Sequence, residues 1–307
     1  MIVTRKPLDT VAIGVMLLLC LCWGLQQVAV NIAAPSMNPV LQLGVRSGIA
    51  ALMVALLMLA RRKFTIEVGT LWPGIADGVL FAAEFFCVAI SLIYTTASHV
   101  SVFLYTAPIF LVLGLHWLVP GEKMRPLQWL GVLLAFAGIA LAFADGFGAV
   151  AVSWQALLLG DAMAVLSGIL WAGTTLTIRA SALSEAAPST TLLYQLGIAG
   201  VILVVLPLLL DHQVLTWPLA PIAWLSLFFQ TVVVAFASFL AWFWLLRRYL
   251  TSRLSVFSFL TPLFGVAFGV LLLDDPIGWR FGAGAALVLA GIVLVNLPAQ
   301  KQIEPDQ

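Results

Sequence analysis

The sequence predicts an all-α membrane protein of ten transmembrane helices in two inverted five-helix repeats. Three observations predict it: a composition too poor in charge to cover a water-exposed surface, ten apolar runs of spanning length, and an ordered series of matches between the two halves. Of 307 residues, 63% are hydrophobic and only 9% are charged, with a mean hydropathy of +1.13. A soluble domain carries roughly 25% charged residues, and a disordered chain needs low hydrophobicity with high charge. The formal net charge is +1. No basic stripe with interleaved aromatics is present, so nucleic acid is not an expected partner.

The apolar runs cover residues 9–31, 38–60, 71–94, 97–119, 126–144, 155–178, 188–210, 219–246, 251–273 and 278–297. Each is near the roughly 20 residues that a spanning helix requires. They are too long and too continuous for barrel strands. In lipid the backbone must satisfy its own hydrogen bonds, so such runs are helices. The first run exceeds the apolar core of a cleaved leader, so it is read as the first transmembrane helix. Between the runs lie polar or turn-forming segments such as Arg61-Arg62-Lys63, Pro120-Gly121-Glu122-Lys123, Asp145-Gly146, Asp211-His212 and Asp274-Asp275-Pro276.

Lys and Arg in alternate loops set the expected orientation. Twelve basic residues, among them Arg5, Lys6, Arg125, Arg179, Arg247 and Arg248, fall on one side, and only Arg280 falls on the other. Arg46 is inside a span. Both termini are therefore expected in the cytoplasm. Tryptophans near span ends fit interfacial belts: Trp72, Trp117 and Trp129 inside, Trp154, Trp217 and Trp279 outside. Trp242 and Trp244 are read the same way, with Trp242 facing the cavity as the alternative. Cys20, Cys22 and Cys87 lie in apolar runs without metal spacing and read as small core hydrophobes.

The halves match in order. Ser98-His99-Val100-Ser101-Val102-Phe103 through Pro108-Ile109-Phe110 parallels Ser252-Arg253-Leu254-Ser255-Val256-Phe257 through Pro262-Leu263-Phe264. Trp23 matches Trp171, Pro39 matches Pro188, and Gly48-Ile49-Ala50 matches Gly197-Ile198-Ala199. Further on, Glu122 matches Asp275, Gly131 matches Gly284, and Ala137-Gly138 matches Ala290-Gly291. These matches divide the chain into a first repeat, 1–148, a second, 149–300, and a tail, 301–307. Five spans per repeat is an odd number, so the second half begins on the opposite side of the membrane. Inverted repeats recur in secondary transporters, with the site near the midplane at the repeat interface. Pro108 and Pro262, repeat mates near mid-span, are expected to kink their helices.

With these features the chain resembles the EamA-type transporters of the drug/metabolite transporter superfamily, over residues 9–297. The resemblance is carried by the two repeats, Trp23-Gly24 and Trp171-Ala172, Arg46, the paired serine-to-proline segments ending at Pro108 and Pro262, and Glu122 and Asp275 at the turns that follow. Within that family the chain looks most like bacterial aromatic amino-acid exporters. The resemblance implies a multi-pass protein of the bacterial inner membrane that moves amino acids outward by alternating access. Gln195 stands where the repeat mate of Arg46 would be basic, which breaks any twofold binding chemistry.

Ionisable residues within a span are costly and usually functional. Arg46 and Glu84 fall at similar depth near the midplane. They are expected either to pair with one another or to meet a substrate, Arg46 taking a carboxylate and Glu84 an amine or a proton. Asp77, Glu84 and Ser91 share one helical face, with Asp77 expected to cap or pair near the inner end and Asp161 likewise near the outer end. Trp23, Gln27 and Asn31 form a second stripe. Trp171 with Thr174 and Thr175, Tyr105, Tyr194 and Gln195 complete the candidate substrate-binding set. His99 and His116 are read as interfacial.

The sequence carries no H-E-x-x-H, G-x-S-x-G or P-loop, so no catalytic residue, metal or cofactor is expected. The expected partners are a small-molecule substrate and the lipid bilayer, and the default assembly is a monomer. Two other readings stay open: export of other metabolites or lipophilic drugs, and an intramembrane enzyme on a lipophilic substrate. The enzyme would need a convergent nucleophile or metal cluster.

Overall fold

The computed structural model describes residues 5–62, 68–147, 153–210, 215–273 and 278–297. Among them are nine helical stretches long and apolar enough to cross a membrane, together with a shorter apolar helix, Pro126–Ala142. Four spans are unbroken helices in the first half of the fold's element order: α1 (Thr10–Ala33), α2 (Pro39–Ala60), α3 (Leu71–Tyr94) and, after the fourth span, α6 (Pro126–Ala142). The fourth span is two helices, α4 (Ala97–Leu104) and α5 (Ala107–Leu118). In the second half come α7 (Trp154–Ala180) and α8 (Pro188–Leu210). The eighth span is α9 (Pro221–Phe228), a π-helical stretch Phe229–Ser238, and α10 (Phe239–Arg248). The ninth is α11 (Thr251–Phe257) and α12 (Leu260–Leu273), and α13 (Trp279–Asn296) is the tenth.

Local chemistry sets several starts. The Asp9 side chain accepts from Ala12 N at 2.9 Å, and Thr96 accepts from His99 N at 3.3 Å. Pro39, Pro126 and Pro221 occupy first turns, where a missing N–H costs nothing. The expected kinks are complete breaks. Pro108 is the second residue of α5 and Pro262 the third of α12. Beside the breaks, hydroxyls fold back onto carbonyls of the preceding turn: Thr106 Oγ1 donates to Phe103 O at 2.6 Å, and Ser258 Oγ donates to Ser255 O at 2.5 Å.

The packing repeats across the two halves. A Cβ on Gly131 would lie 2.7 Å from Gly291 O, and one on Gly138 would lie 2.6 Å from Gly284 O. The sequence pairs Gly131 with Gly284 and Gly138 with Gly291, so each contact is the repeat image of the other. This is the antiparallel seam an inverted duplication produces, with small residues letting backbones touch. α2 and α8, also mates, meet in the same way: a Cβ on Gly200 would lie 2.8 Å from Gly48 N. Around these seams α3 packs on α7 and α8, and α1 packs on α9, the π-helical stretch and α12.

At the end bearing most of the basic residues, the N-terminal segment is clasped to the turn between the eighth and ninth spans. Lys6 N donates to Arg248 O at 3.0 Å, and Leu250 N donates to Lys6 O at 3.1 Å. Tyr249 Oη donates to Asp9 Oδ2 at 2.8 Å. Trp72, Trp117, Trp154, Trp217 and Trp279 are exposed at span ends, as belt residues should be, whereas Trp129 is half-buried beside His116.

Candidate functional site

A cavity of about 170 Å³ lies between the repeats. Eight of the nine proposed binding residues line it: Trp23, Gln27, Arg46, Glu84, Tyr105, Trp171, Thr175 and Gln195. Pro108 lines it as well, at the break in the fourth span, while Pro262 is off the lining. Tyr194 is also off the lining. Its ring packs over Gly74, and its hydroxyl lies 3.3 Å from Thr70 Oγ1, so it holds α8 to α3. One residue further along α8, Gln195 turns into the cavity.

The charged pair is the centre of this site. Arg46 is 1% exposed, and its Nε and Nη1 have no hydrogen-bond partner among the described residues. Its guanidinium carbon lies 5.8 Å from the Phe85 ring centroid. Glu84 is 7% exposed, and its Oε2 is likewise unpartnered. No ion pair closes between Arg46 and Glu84 among the described residues. An open guanidinium and an open carboxylate therefore face one desolvated space, where each costs several kcal/mol unless paired. The arrangement is complementary to a solute carrying both an anionic and a cationic group.

Aromatic rings wall the rest. Trp23 meets Trp242 edge-on at 5.8 Å and Phe239 at 6.3 Å, and its Nε1 donates to Ser238 Oγ at 2.9 Å. Phe81 and Phe85 pack at 4.9 Å, and Tyr105 meets Trp171 edge-on at 5.5 Å. Trp242 thus faces the cavity and is not a belt residue: the phase of α10 turns it inward toward Trp23. Sequence reasoning missed Phe81, Phe85 and Phe239. The first two flank Glu84 on its own polar stripe, which is the signal that points to them.

The two ends of the cavity differ. Ile178, Phe243 and Ser255, all buried, floor it toward the basic end. At the other end Gln27, one turn beyond Trp23, is on the lining and exposed. Below the floor the Glu122 carboxylate binds four donors. Oε1 accepts from Arg179 Nη2 and Thr251 N, both at 2.9 Å. Oε2 accepts from Ser252 N at 3.0 Å and Ser252 Oγ at 2.7 Å. One carboxylate thereby ties α7, the turn before α6 and the N-terminus of α11.

At the opposite end Asp161 pairs with His99 Nδ1 at 2.9 Å and accepts from Thr95 Oγ1 at 3.0 Å. His99 is buried and stacked on Phe147 at 3.9 Å, so it is a packed partner and not an interfacial residue. Asp77 neither caps nor pairs among the described residues: it is fully buried, and both carboxylate oxygens lack a hydrogen-bond partner there. Arg280 pairs with Asp145. The turn Asp274-Asp275 lies outside the described residues. Among the described residues no group of His, Cys, Asp and Glu is arranged to hold a metal ion.

Comparison with known proteins gives consistent matches along nearly the whole chain. The sequence model of the EamA-like transporter family matches residues 10–144 and 158–297. A relative named an uncharacterized transporter, YvbV, of Bacillus subtilis (strain 168) is 26% identical over 287 residues, covering 92% of this chain and 91% of that protein. A protein of Escherichia coli (strain K12) named a probable amino-acid metabolite efflux pump is 25% identical over 289 residues, 91% of this chain and 92% of its own. One solved crystal structure superposes with a TM-score of 0.79 at 16% identity, covering 93% of this chain and 97% of that one. That likeness speaks to the fold alone.

Proposed function

Because the chain belongs to the EamA-like transporter family, we propose that this membrane transporter exports amino acids, aromatic ones above all, across the bacterial inner membrane by alternating access. The observation that carries the reading is the open Arg46 and Glu84 pair in one aromatic-walled cavity. Arg46 takes the α-carboxylate and Glu84 the α-ammonium. Trp23, Trp171 and Tyr105 hold the side chain, with Gln27, Thr175 and Gln195 bonding its polar edges. A relative described as a probable amino-acid metabolite efflux pump supports the substrate class. The charge bias of the loops supports cytoplasmic termini.

In the proposed cycle the cavity loads from one face and empties at the other as the two repeats, 1–148 and 149–300, rock against each other. The Glu122 cluster closes the basic end in the present state. Releasing Arg179, Thr251 and Ser252 from Glu122 frees α11 to swing at the break before Pro262. Flux in proteoliposomes tests the substrate class. Labelled phenylalanine flux is expected to be competed by unlabelled tryptophan and not by N-acetyl-phenylalanine or phenylalanine methyl ester, each of which lacks one charge. Equal competition by all three would overturn the zwitterion assignment.

A further inference from the structure

A second, smaller cavity lies at the basic end, between the ends of α7, α8 and α10. It holds about 10 Å³, room for a single water-sized group. Arg179, Ser184, Thr191 and Arg247 are on its lining. Arg179 is 6% exposed. Its Nη2 is spent on Glu122, but its Nε and Nη1 have no partner among the described residues. Arg5 adjoins, donating to Ser184 O at 3.1 Å and Glu185 Oε1 at 3.3 Å.

The local charge is unbalanced. Three guanidiniums, on Arg5, Arg179 and Arg247, face two carboxylates, on Glu122 and Glu185. Glu122 already spreads its charge over four donors. Burial, and then the neighbouring Arg179, hold the Arg5 guanidinium below its ordinary pKa. A water molecule in the cavity would leave the excess charge. An anionic oxygen answers it, and a guanidinium is built to bind one. Basic pockets between transmembrane helices are where anionic headgroups bind.

We infer that this cavity is an anion site of phosphate type: one anionic oxygen enters beside Arg179, and the rest of the group lies at the rim by Arg247 and Arg5. The phosphate of a phospholipid headgroup and free inorganic phosphate share that chemistry. Occupancy leaves Arg179 Nη2 on Glu122, so the ligand steadies the state closed at the basic end.

The test is the thermal-unfolding midpoint of the purified, delipidated full-length protein, titrated with short-chain phosphatidylglycerol, with phosphatidylcholine, and with inorganic phosphate against chloride at equal ionic strength. The expected result is a saturable rise with phosphatidylglycerol and none with phosphatidylcholine. Its apparent affinity should fall at least about tenfold in Arg179→Gln and in Arg247→Gln, the loss of one charge-assisted hydrogen bond. Arg247 is exposed, so its variant folds even where the buried one does not. A matching rise with inorganic phosphate makes the ligand a soluble anion, and a rise with phosphatidylglycerol alone makes it the lipid. No rise beyond chloride with either anion, an equal rise with phosphatidylcholine, or an unchanged affinity in Arg247→Gln would overturn the site.

Discussion

Glu122 and Arg179, 57 residues apart, form a 2.9 Å ion pair in which the two side chains are 1% and 3% exposed. The same carboxylate caps the N-terminus of α11, where the helix dipole favours a negative charge. Removing one member of such a buried pair costs about 3–5 kcal/mol. Glu122→Ala is therefore expected to lower the unfolding midpoint and to loosen the basic end. In a cysteine-free background, Ser255→Cys should be labelled by a membrane-impermeant maleimide from the basic side faster when Glu122 is alanine. Equal labelling rates would show that the cluster does not close the cavity.

The glycine seam gives a sharper contrast. Gly131 and Gly138 of α6 meet backbone atoms of α13, which cannot yield. Overpacking costs typically 1–3 kcal/mol and occasionally more. Gly138→Val should fall at the top of that range and reduce the yield of folded protein. Gly14 and Gly48 have nothing within 4 Å of an added Cβ. Gly14→Ala and Gly48→Ala should be neutral or stabilising by up to about 1 kcal/mol, from helix propensity. Thermal unfolding of the three variants decides this. A Gly138→Val protein as stable as wild type would contradict the seam.

Much of this was legible in one sequence, and what was not has physical reasons. Arg46 and Glu84 stand out because charge is rare in an apolar run, and Pro108 and Pro262 because duplication placed them alike. Arg179 reads as a loop residue until its partner from the turn before α6 is seen. Trp242 sits where a belt residue belongs, and only helical phase turns it inward. The π-helical stretch Phe229–Ser238 has no sequence signature: its Val, Ala and Phe residues suit an α-helix equally. It places Ser238 under the Trp23 indole.

Tyr194 separates packing from binding. It braces α8 against Gly74 and is not on the cavity. Tyr194→Phe removes only the contact with Thr70 and should cost about 1 kcal/mol, with KM for transport unchanged. Trp171→Ala, on the lining, should raise KM with the protein still folded. A raised KM in Tyr194→Phe would place that hydroxyl in the substrate's path.

The N-terminal clasp should respond to pH. Hydrogen bonds from Ala12 N and then from Tyr249 hold the Asp9 carboxyl below its usual range. Its folded pKa is depressed, so its contribution is present above the unfolded value, about 3.9, and is lost as pH falls through the lower folded one. Asp9 in turn raises the Tyr249 phenol, whose contribution is present at neutral pH and lost as pH rises through its folded value. Across pH 3 to 7, the difference in unfolding midpoint between wild type and Asp9→Asn should be constant near neutrality and shrink toward the acid end. A difference that does not change with pH would remove Asp9 from the clasp.

The most direct measurement of the central claim is amino-acid flux through Arg46→Ala in proteoliposomes, with folding verified by an unchanged unfolding midpoint. Among the described residues Arg46 makes no hydrogen bond through Nε or Nη1, so the fold should tolerate its loss. Truncating a desolvated charge that meets a ligand costs about 2–5 kcal/mol, which is a fall in kcat/KM of about thirtyfold or more. Saturable phenylalanine or tryptophan flux in the wild type, lost to that degree in the folded variant, is the predicted result. Undiminished flux through folded Arg46→Ala, or no flux of any amino acid through the wild type, would contradict the account.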